Sequence, residues 1–149
     1  MNIKDAVDSA VSRIKPQASK KGIKISVSVP KLFVMADERS LTELFTILLD
    51  NAVKYSQNKK EVIVEGQSVD SKIKLSVKDN GIGIKKEDIP MIFDRFYRAD
   101  KSRTKQEFKG YGLGLSIAKR IVDLHKGSIH VESQEGQGSE FIVLLPKVK

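Results

Sequence analysis

Three short clusters in this chain combine residue types that could do chemistry together. Asp79-Asn80-Gly81-Ile82-Gly83-Ile84 puts a carboxylate beside two glycines, and Gly110-Tyr111-Gly112-Leu113-Gly114-Leu115 follows about thirty residues later. Upstream, Leu48-Leu49-Asp50-Asn51-Ala52-Val53-Lys54-Tyr55 offers an amide, a cation and a phenol hydroxyl. Asp79 ends an apolar strand, where a carboxylate is costly to bury without a donor, and an adenine exocyclic amine is such a donor. Gly81 and Gly83 leave the backbone bare enough for a base to come close. Three glycines ahead of an amphipathic run expose main-chain amides at a helix N-terminus, where aligned peptide dipoles attract phosphate oxygens. Asn51 supplies one amide oxygen to Mg²⁺, an ion that prefers oxygen ligands in octahedral geometry and keeps several waters. Lys54 and Tyr55 share its helix edge, three and four residues on, and would aim a charge and a hydroxyl at the same phosphates. Together the clusters describe a nucleotide site. Each alone has an ordinary explanation: Asp-Asn-Gly is a common turn, Asn51 and Lys54 fit a solvated helix face, and Tyr55 fits a core edge.

The elements that must position these residues follow from periodicity. Asp5 to Ala18 carries Ala6, Val7, Ala10, Val11 and Ile14 at helical spacing until Lys20-Lys21-Gly22 ends the pattern. Ile23, Ile25, Val27 and Val29 alternate as a strand up to Pro30, and Leu32 to Met35 reads as another short strand. From Glu38 to Ser56 the residues Leu41, Leu44, Phe45, Leu48, Leu49, Ala52 and Val53 form a helical stripe, with Asp37 as its cap. Val62 to Val64 and Ile73 to Val77 are strands around a polar turn at Asp70-Ser71, the second running into Asp79. Ile89 to Phe96 reads as a short helix or turn, and the charged, aperiodic Tyr97 to Lys109 as a candidate mobile loop. Leu113 to His125 is a third helix stopped by Gly127 in the role of a C-cap, and Ile129 to Glu132 and Phe141 to Leu145 flank Gly136-Gln137-Gly138 as a hairpin. The sum is an α/β two-layer sandwich: a mixed sheet of about five strands with three main helices on one face.

A chain of 149 residues with 40% hydrophobic content fits one domain with a real core. No run approaches the roughly 18 to 20 apolar residues of a membrane span, and the start Met1-Asn2-Ile3-Lys4-Asp5 does not read as a signal peptide. Cysteine is absent, which excludes disulfides, thiolate zinc sites and thiol nucleophiles. The expected location is the cytoplasm, without direct membrane insertion, although a parent protein could be membrane-anchored. The net charge of +8 comes from lysines scattered along the chain, and aromatics make up only 6%. That pattern argues against nucleic acid and for a polyphosphate ligand or an acidic partner.

In order and spacing, the three clusters resemble the ATP-binding catalytic domain of bacterial sensor histidine kinases, in the superfamily that includes gyrase, heat-shock chaperone and mismatch-repair ATPases. The resemblance covers nearly the whole chain and implies the Bergerat ATP-binding fold, an α+β architecture. It implies ATP and Mg²⁺ as cofactors, Asn51 as metal ligand, Lys54 and Tyr55 on the phosphates, Asp79 on adenine and Ile84 near its ring. The stretch Gly110 to Leu115, through Tyr111, Gly112, Leu113 and Gly114, has the family's Gly-x-Gly-Leu-Gly-Leu form. Neither a Walker loop nor a Rossmann fingerprint fits it, because no Gly-Lys-Ser/Thr follows and no strand leads in. Ile92-Phe93-Asp94-Arg95-Phe96-Tyr97-Arg98 is similar to the family's phenylalanine motif, in which Phe93 and Phe96 read either as anchors for one end of the loop or as plain core, and Arg98 as a phosphate contact.

Two features depart from the pattern. Ile47 stands where family members usually carry a polar residue and hydrolytic relatives a glutamate, so efficient stand-alone hydrolysis is not expected. Only His125 and His130 are present, neither in a phosphoacceptor context. The partners implied are therefore a histidine-bearing dimerisation domain, in cis or in trans, and indirectly a response regulator. An anti-sigma-type serine kinase of the same superfamily and a nucleotide-sensing pseudokinase are the competing readings.

Overall fold

The computed structural model describes residues 1–94 and 114–148. Helix α1 (Ile3–Lys20) opens the chain, capped by Asn2, whose side chain accepts from the Lys4 amide. Strand β1 (Lys24–Ser28) leads to helix α2 (Glu38–Tyr55), then strands β2 (Glu61–Val69) and β3 (Lys72–Lys78). A 3₁₀ turn at Ile89–Met91 precedes helix α3 (Gly114–Leu124) and strands β4 (Ser128–Gln134) and β5 (Gly138–Pro146). The sheet order is β1-β2-β3-β5-β4, with β1 parallel to β2 and the other pairs antiparallel. Three helices over a mixed five-stranded sheet give the two-layer sandwich expected.

Period-2 alternation and strand register decide which residues meet the helices. Val64, Val77, Phe141 and Val131 lie in one cross-strand row, and Gly66, Leu75, Val143 and Ile129 in the next. These rows face Leu41, Leu44, Phe45, Leu48, Leu49, Ala52 and Val53, the stripe of α2, all buried. Ala6, Val7, Ala10 and Ile14 of α1, and Ala118, Ile121 and Val122 of α3, complete the same core. Asp37 does cap α2: its carboxylate accepts from the Ser40 amide at 3.2 Å and the Ser40 hydroxyl at 2.8 Å. Those bonds hold its carboxyl below the usual carboxylate range.

Two local expectations are corrected. Leu32 to Met35 is not a strand; its pairing is an isolated bridge between Phe33 and Asn2, too short to propagate a ladder. Gly127 is not the left-handed residue ending α3, because Lys126 takes that conformation at φ +60°. Glycine is required next door by space: a Cβ at Gly127 would lie 2.3 Å from the Leu144 carbonyl oxygen, so β5 passes too close for any side chain. Among the described residues no helix is long and apolar enough to cross a membrane.

Candidate functional site

The site is built where β3 ends against the last turn of α2. Asp79 follows β3 and is only 4% exposed. Its amide donates to the Ser139 carbonyl at 2.8 Å, and the Ser139 amide returns a bond to Asp79 Oδ1 at 3.2 Å. Oδ1 also accepts from the Gly81 amide at 2.9 Å. Both bonds fall on one oxygen; Oδ2 accepts none among the described residues. Burial outweighs the two amide bonds and pushes the carboxyl up to about 6. A buried carboxylate with one oxygen fixed and the other open is an acceptor held ready for a donor from outside.

Gly81 and Gly83 couple this carboxylate to the rest of the site by close backbone approach. A Cβ at Gly81 would lie 2.0 Å from the Tyr55 carbonyl oxygen, and that carbonyl accepts from the Ile82 amide at 3.3 Å. Ser56 and Gly81 form a bridge, so the loop after β3 is laid directly on the end of α2. Gly83, at φ +72°, passes so close to Gln134 that a Cβ would lie 2.1 Å from its carbonyl oxygen. The Gly136 amide reaches back to the Ile82 carbonyl at 2.7 Å. Ile84 is half-buried against the core, and its amide donates to Ser133 Oγ at 2.7 Å. Ser133 Oγ lies 2.9 Å from both the Gly138 carbonyl and Ser139 Oγ.

Asn51, Lys54 and Tyr55 are half-buried on one edge of α2, as their spacing requires. The Asn51 side chain makes no hydrogen bond among the described residues, so its amide oxygen is open to a ligand. Lys54 Nζ pairs with Asp50 at 2.8 Å. No group of three or more His, Cys, Asp or Glu is placed to hold a metal among the described residues. A cation here would take one amide oxygen and fill its shell from phosphates and water, which fits Mg²⁺ and does not fit a transition metal held by an all-protein cage.

Ile47 lies one turn before Asn51, and its Cγ2 would be 3.4 Å from a Cβ at Gly114. The first turn of α3, with Gly114 and Leu115, therefore rests beside the Asn51 edge of α2. Arg98, Gly110, Tyr111, Gly112 and Leu113 lie outside the described residues, as do Phe96 and the segment expected to be a mobile loop. Phe93 is described, and packs edge-to-face on Phe141 with centroids 6.2 Å apart. His125 donates from Nδ1 to the Ile121 carbonyl at 2.8 Å and accepts at Nε2 from the Asp37 amide at 3.4 Å, tying α3 to the start of α2. His130 is exposed on β4.

Sequence reasoning missed Ser133, Ser139 and Lys21. Ser139 follows Gly136-Gln137-Gly138 directly, a hydroxyl after a glycine turn, while Ser133 gave no signal of its own. Lys21 gave no signal; its Nζ donates to the carbonyls of Val53, Lys54 and Ser56 at 2.7, 3.1 and 2.8 Å.

Residues 36–149 match the histidine kinase-, DNA gyrase B- and HSP90-like ATPases. The chain belongs to that family. Its relatives within it are sensor kinases: sensor protein CiaH of Streptococcus pneumoniae is 48% identical over 110 residues, 74% of this chain and 24% of CiaH. Sensor histidine kinase YkoH of Bacillus subtilis is 43% identical over 130 residues, 87% of this chain and 28% of YkoH. The chain spans about a quarter of the length of the curated relatives it matches. The mycobacterial sensor histidine kinase MprB superposes with a TM-score of 0.89 at 28% identity, over 99% of this chain and 97% of that one. Full-length ShkA in complex with AMPPNP superposes at 0.86 and 28% identity, over all of this chain and 31% of ShkA.

Proposed function

We propose that this chain is one catalytic domain that binds MgATP and delivers the γ-phosphoryl group to a histidine on a separate dimerisation domain. The observation that carries the reading is Asp79: a sealed carboxylate with a free oxygen, fixed by main-chain amides to the same loop that grips the end of α2. Oδ2 accepts the adenine exocyclic amine. Guanine offers a carbonyl at that position and would face the carboxylate with another acceptor. Gly81 and Gly83 keep the backbone below the ring, and Ile84 supplies apolar surface beside it. Asn51 is the protein ligand of the ion, whose chemistry when bound is to screen the charge of the phosphates. Lys54 and Tyr55 contact those phosphates, and Gly114 and Leu115 open the helix whose N-terminus faces them. From the sequence pattern, Gly110 to Leu113 complete the phosphate cradle and Arg98 contacts the transferring group.

The acceptor nitrogen attacks the γ-phosphorus in line as the bond to the ADP oxygen breaks, so the work asked of this domain is positioning and charge stabilisation. Ile47 offers no base for water, which supports transfer over hydrolysis. A cognate response regulator would then take the phosphoryl group from the histidine. The test supplies a histidine-bearing dimerisation domain in trans with γ-labelled ATP. Acid-labile label on that domain is expected, with slow hydrolysis by the chain alone. Rapid turnover by the isolated chain, or label on His125 or His130, would overturn the proposal.

A further inference from the structure

The last turn of α2 carries half of the candidate site, and its carbonyls can be accounted for one by one. A helix leaves its final four C=O groups without intrahelical partners, and each must find a donor or water. The Ala52 carbonyl takes the last intrahelical bond, from the Ser56 amide at 3.0 Å, and of the four carbonyls beyond it Tyr55 accepts from the Ile82 amide at 3.3 Å. The other three, Val53, Lys54 and Ser56, all accept from the Lys21 ammonium. An ammonium has three protons, so each is used.

Lys21 comes from a different element than Ile82. It is the C-cap residue of α1, its amide bound to the Ala18 carbonyl at 3.1 Å, and its own carbonyl accepts from the Lys59 amide at 3.0 Å. The end of α2 is thus held both by the loop bearing Asp79 and by the end of α1. A cation at a helix C-terminus is also favoured by the macrodipole. Lys54 is one of the residues whose carbonyl is held, Tyr55 sits between two of them, and Asn51 is one turn earlier.

We propose that Lys21 is a positioning residue for the phosphate and metal half of the nucleotide site: it fixes the last turn of α2, and with it Asn51, Lys54 and Tyr55, relative to Asp79. The proposal rests on the MgATP reading above. The adenine half meets the end of α2 at the Ser56–Gly81 bridge and has further anchors of its own, the Ser139 amide on Asp79 and the β4–β5 hairpin, whose hydrogen bonds among the described residues do not involve Lys21. Loss of the ammonium should therefore weaken what the phosphates contribute and leave the base contribution nearly intact. A role confined to fold stability would scale both ligands together, or neither.

The experiment compares adenosine and MgATP binding to the parent chain, Lys21→Met, Lys21→Gln and Asn51→Ala, by calorimetry for MgATP and chemical-shift titration for adenosine. For Lys21→Met, at least a tenfold loss of MgATP affinity is expected with adenosine changed by less than threefold. Lys21→Gln is one atom shorter and keeps two of the three donor protons, and should show the same selectivity at smaller amplitude even if the methionine variant does not fold. Equal losses for both ligands, or a lowered melting temperature with both affinities unchanged, would overturn the proposal. Asn51→Ala separates the two readings: if it leaves MgATP affinity intact, the site assignment itself fails. If it weakens MgATP while both Lys21 variants do not, only the role of Lys21 fails.

Discussion

Replacing Asp79 by asparagine should make the unliganded protein more stable and its nucleotide weaker, and both signs follow from the same burial. The folded carboxyl titrates at about 6, against 3.8 for the free side chain. A raised carboxyl pKa means the protonated form fits the folded state better. Its stabilising contribution is complete below the unfolded value and is lost as pH rises through about 6. At 1.36 kcal/mol per pH unit, the ionised carboxylate at pH 8 costs about 3 kcal/mol relative to its protonated form. Asparagine keeps an oxygen for the Gly81 and Ser139 amides and carries no charge, so it removes most of that cost. Toward the ligand it can turn an amide donor where Oδ2 offered an acceptor, and an unpaired donor there costs about 1–3 kcal/mol, roughly 5- to 150-fold in affinity.

The assay is urea unfolding of parent and Asp79→Asn from pH 4 to pH 8 without nucleotide, followed by calorimetric titration with MgATP at pH 8. The expected stability difference is about 1–3 kcal/mol in favour of asparagine at pH 8 and shrinks as pH falls toward 4. Such an exchange of stability for binding is what a site residue, as opposed to a packing residue, should show. A variant less stable than the parent at pH 8 would refute the desolvation argument. Unchanged MgATP affinity would refute the adenine role, whatever the stability curves show.

Further outcomes follow from the same contacts. Adenosine affinity of the parent should fall roughly tenfold between pH 7 and pH 5 as Asp79 takes up its proton, and stay flat in Asp79→Asn; a flat parent profile by chemical-shift titration would remove the carboxylate from base recognition. Gly81→Ala sets a methyl against the Tyr55 carbonyl, whose backbone cannot swing away, and should destabilise by about 1–3 kcal/mol or more in urea unfolding; an unchanged midpoint would mean the loop does not press on α2 as described. Asn51→Ala should abolish most of the gain in ATP affinity that Mg²⁺ confers, and identical titrations with and without Mg²⁺ in parent and variant would show that Asn51 is not a ligand.

The parts legible in the sequence were those whose signal is local. The α2 stripe from Leu41 to Val53 and the Asp37 cap follow from 3.6-residue spacing and one capping side chain. Asp79 is legible as a carboxylate at a strand end in need of a donor, and the resemblance carried by the glycine clusters is what implies adenine as that donor. The rest depends on register and long-range approach. Lys21 meets carbonyls 32 to 35 residues away, and no pattern in Lys20-Lys21-Gly22 separates a capping ammonium from a solvated one. Ser133 and Ser139 come together because β4 and β5 pair with Ser133 opposite Ser139, a register that the glycines of the turn allow and do not dictate. Gly127 was read as a conformational need when the need was space, since the carbonyl it avoids belongs to Leu144, on another strand.

Ile47 shows why one position can be wrong for one reaction and right for another. Read as chemistry alone, it is a missing polar group one turn before the proposed metal ligand Asn51. Placed in the fold, it is a half-buried side chain of the core edge lying beside the start of α3, where the second glycine cluster ends. An apolar residue there supports the seam between α2 and α3 and, under the proposed reading, would leave no protein base at position 47 to hold a water next to the phosphates. For hydrolysis that is a defect. For a domain whose acceptor is a histidine on another helix pair, the nucleophile arrives with the partner, and a water activated beside the γ-phosphate would compete with it. Under the proposed transfer, the apolar seam and the lack of a base at position 47 serve the same reaction: the chain would supply the held nucleotide and the positioned charge, and the partner the attacking atom.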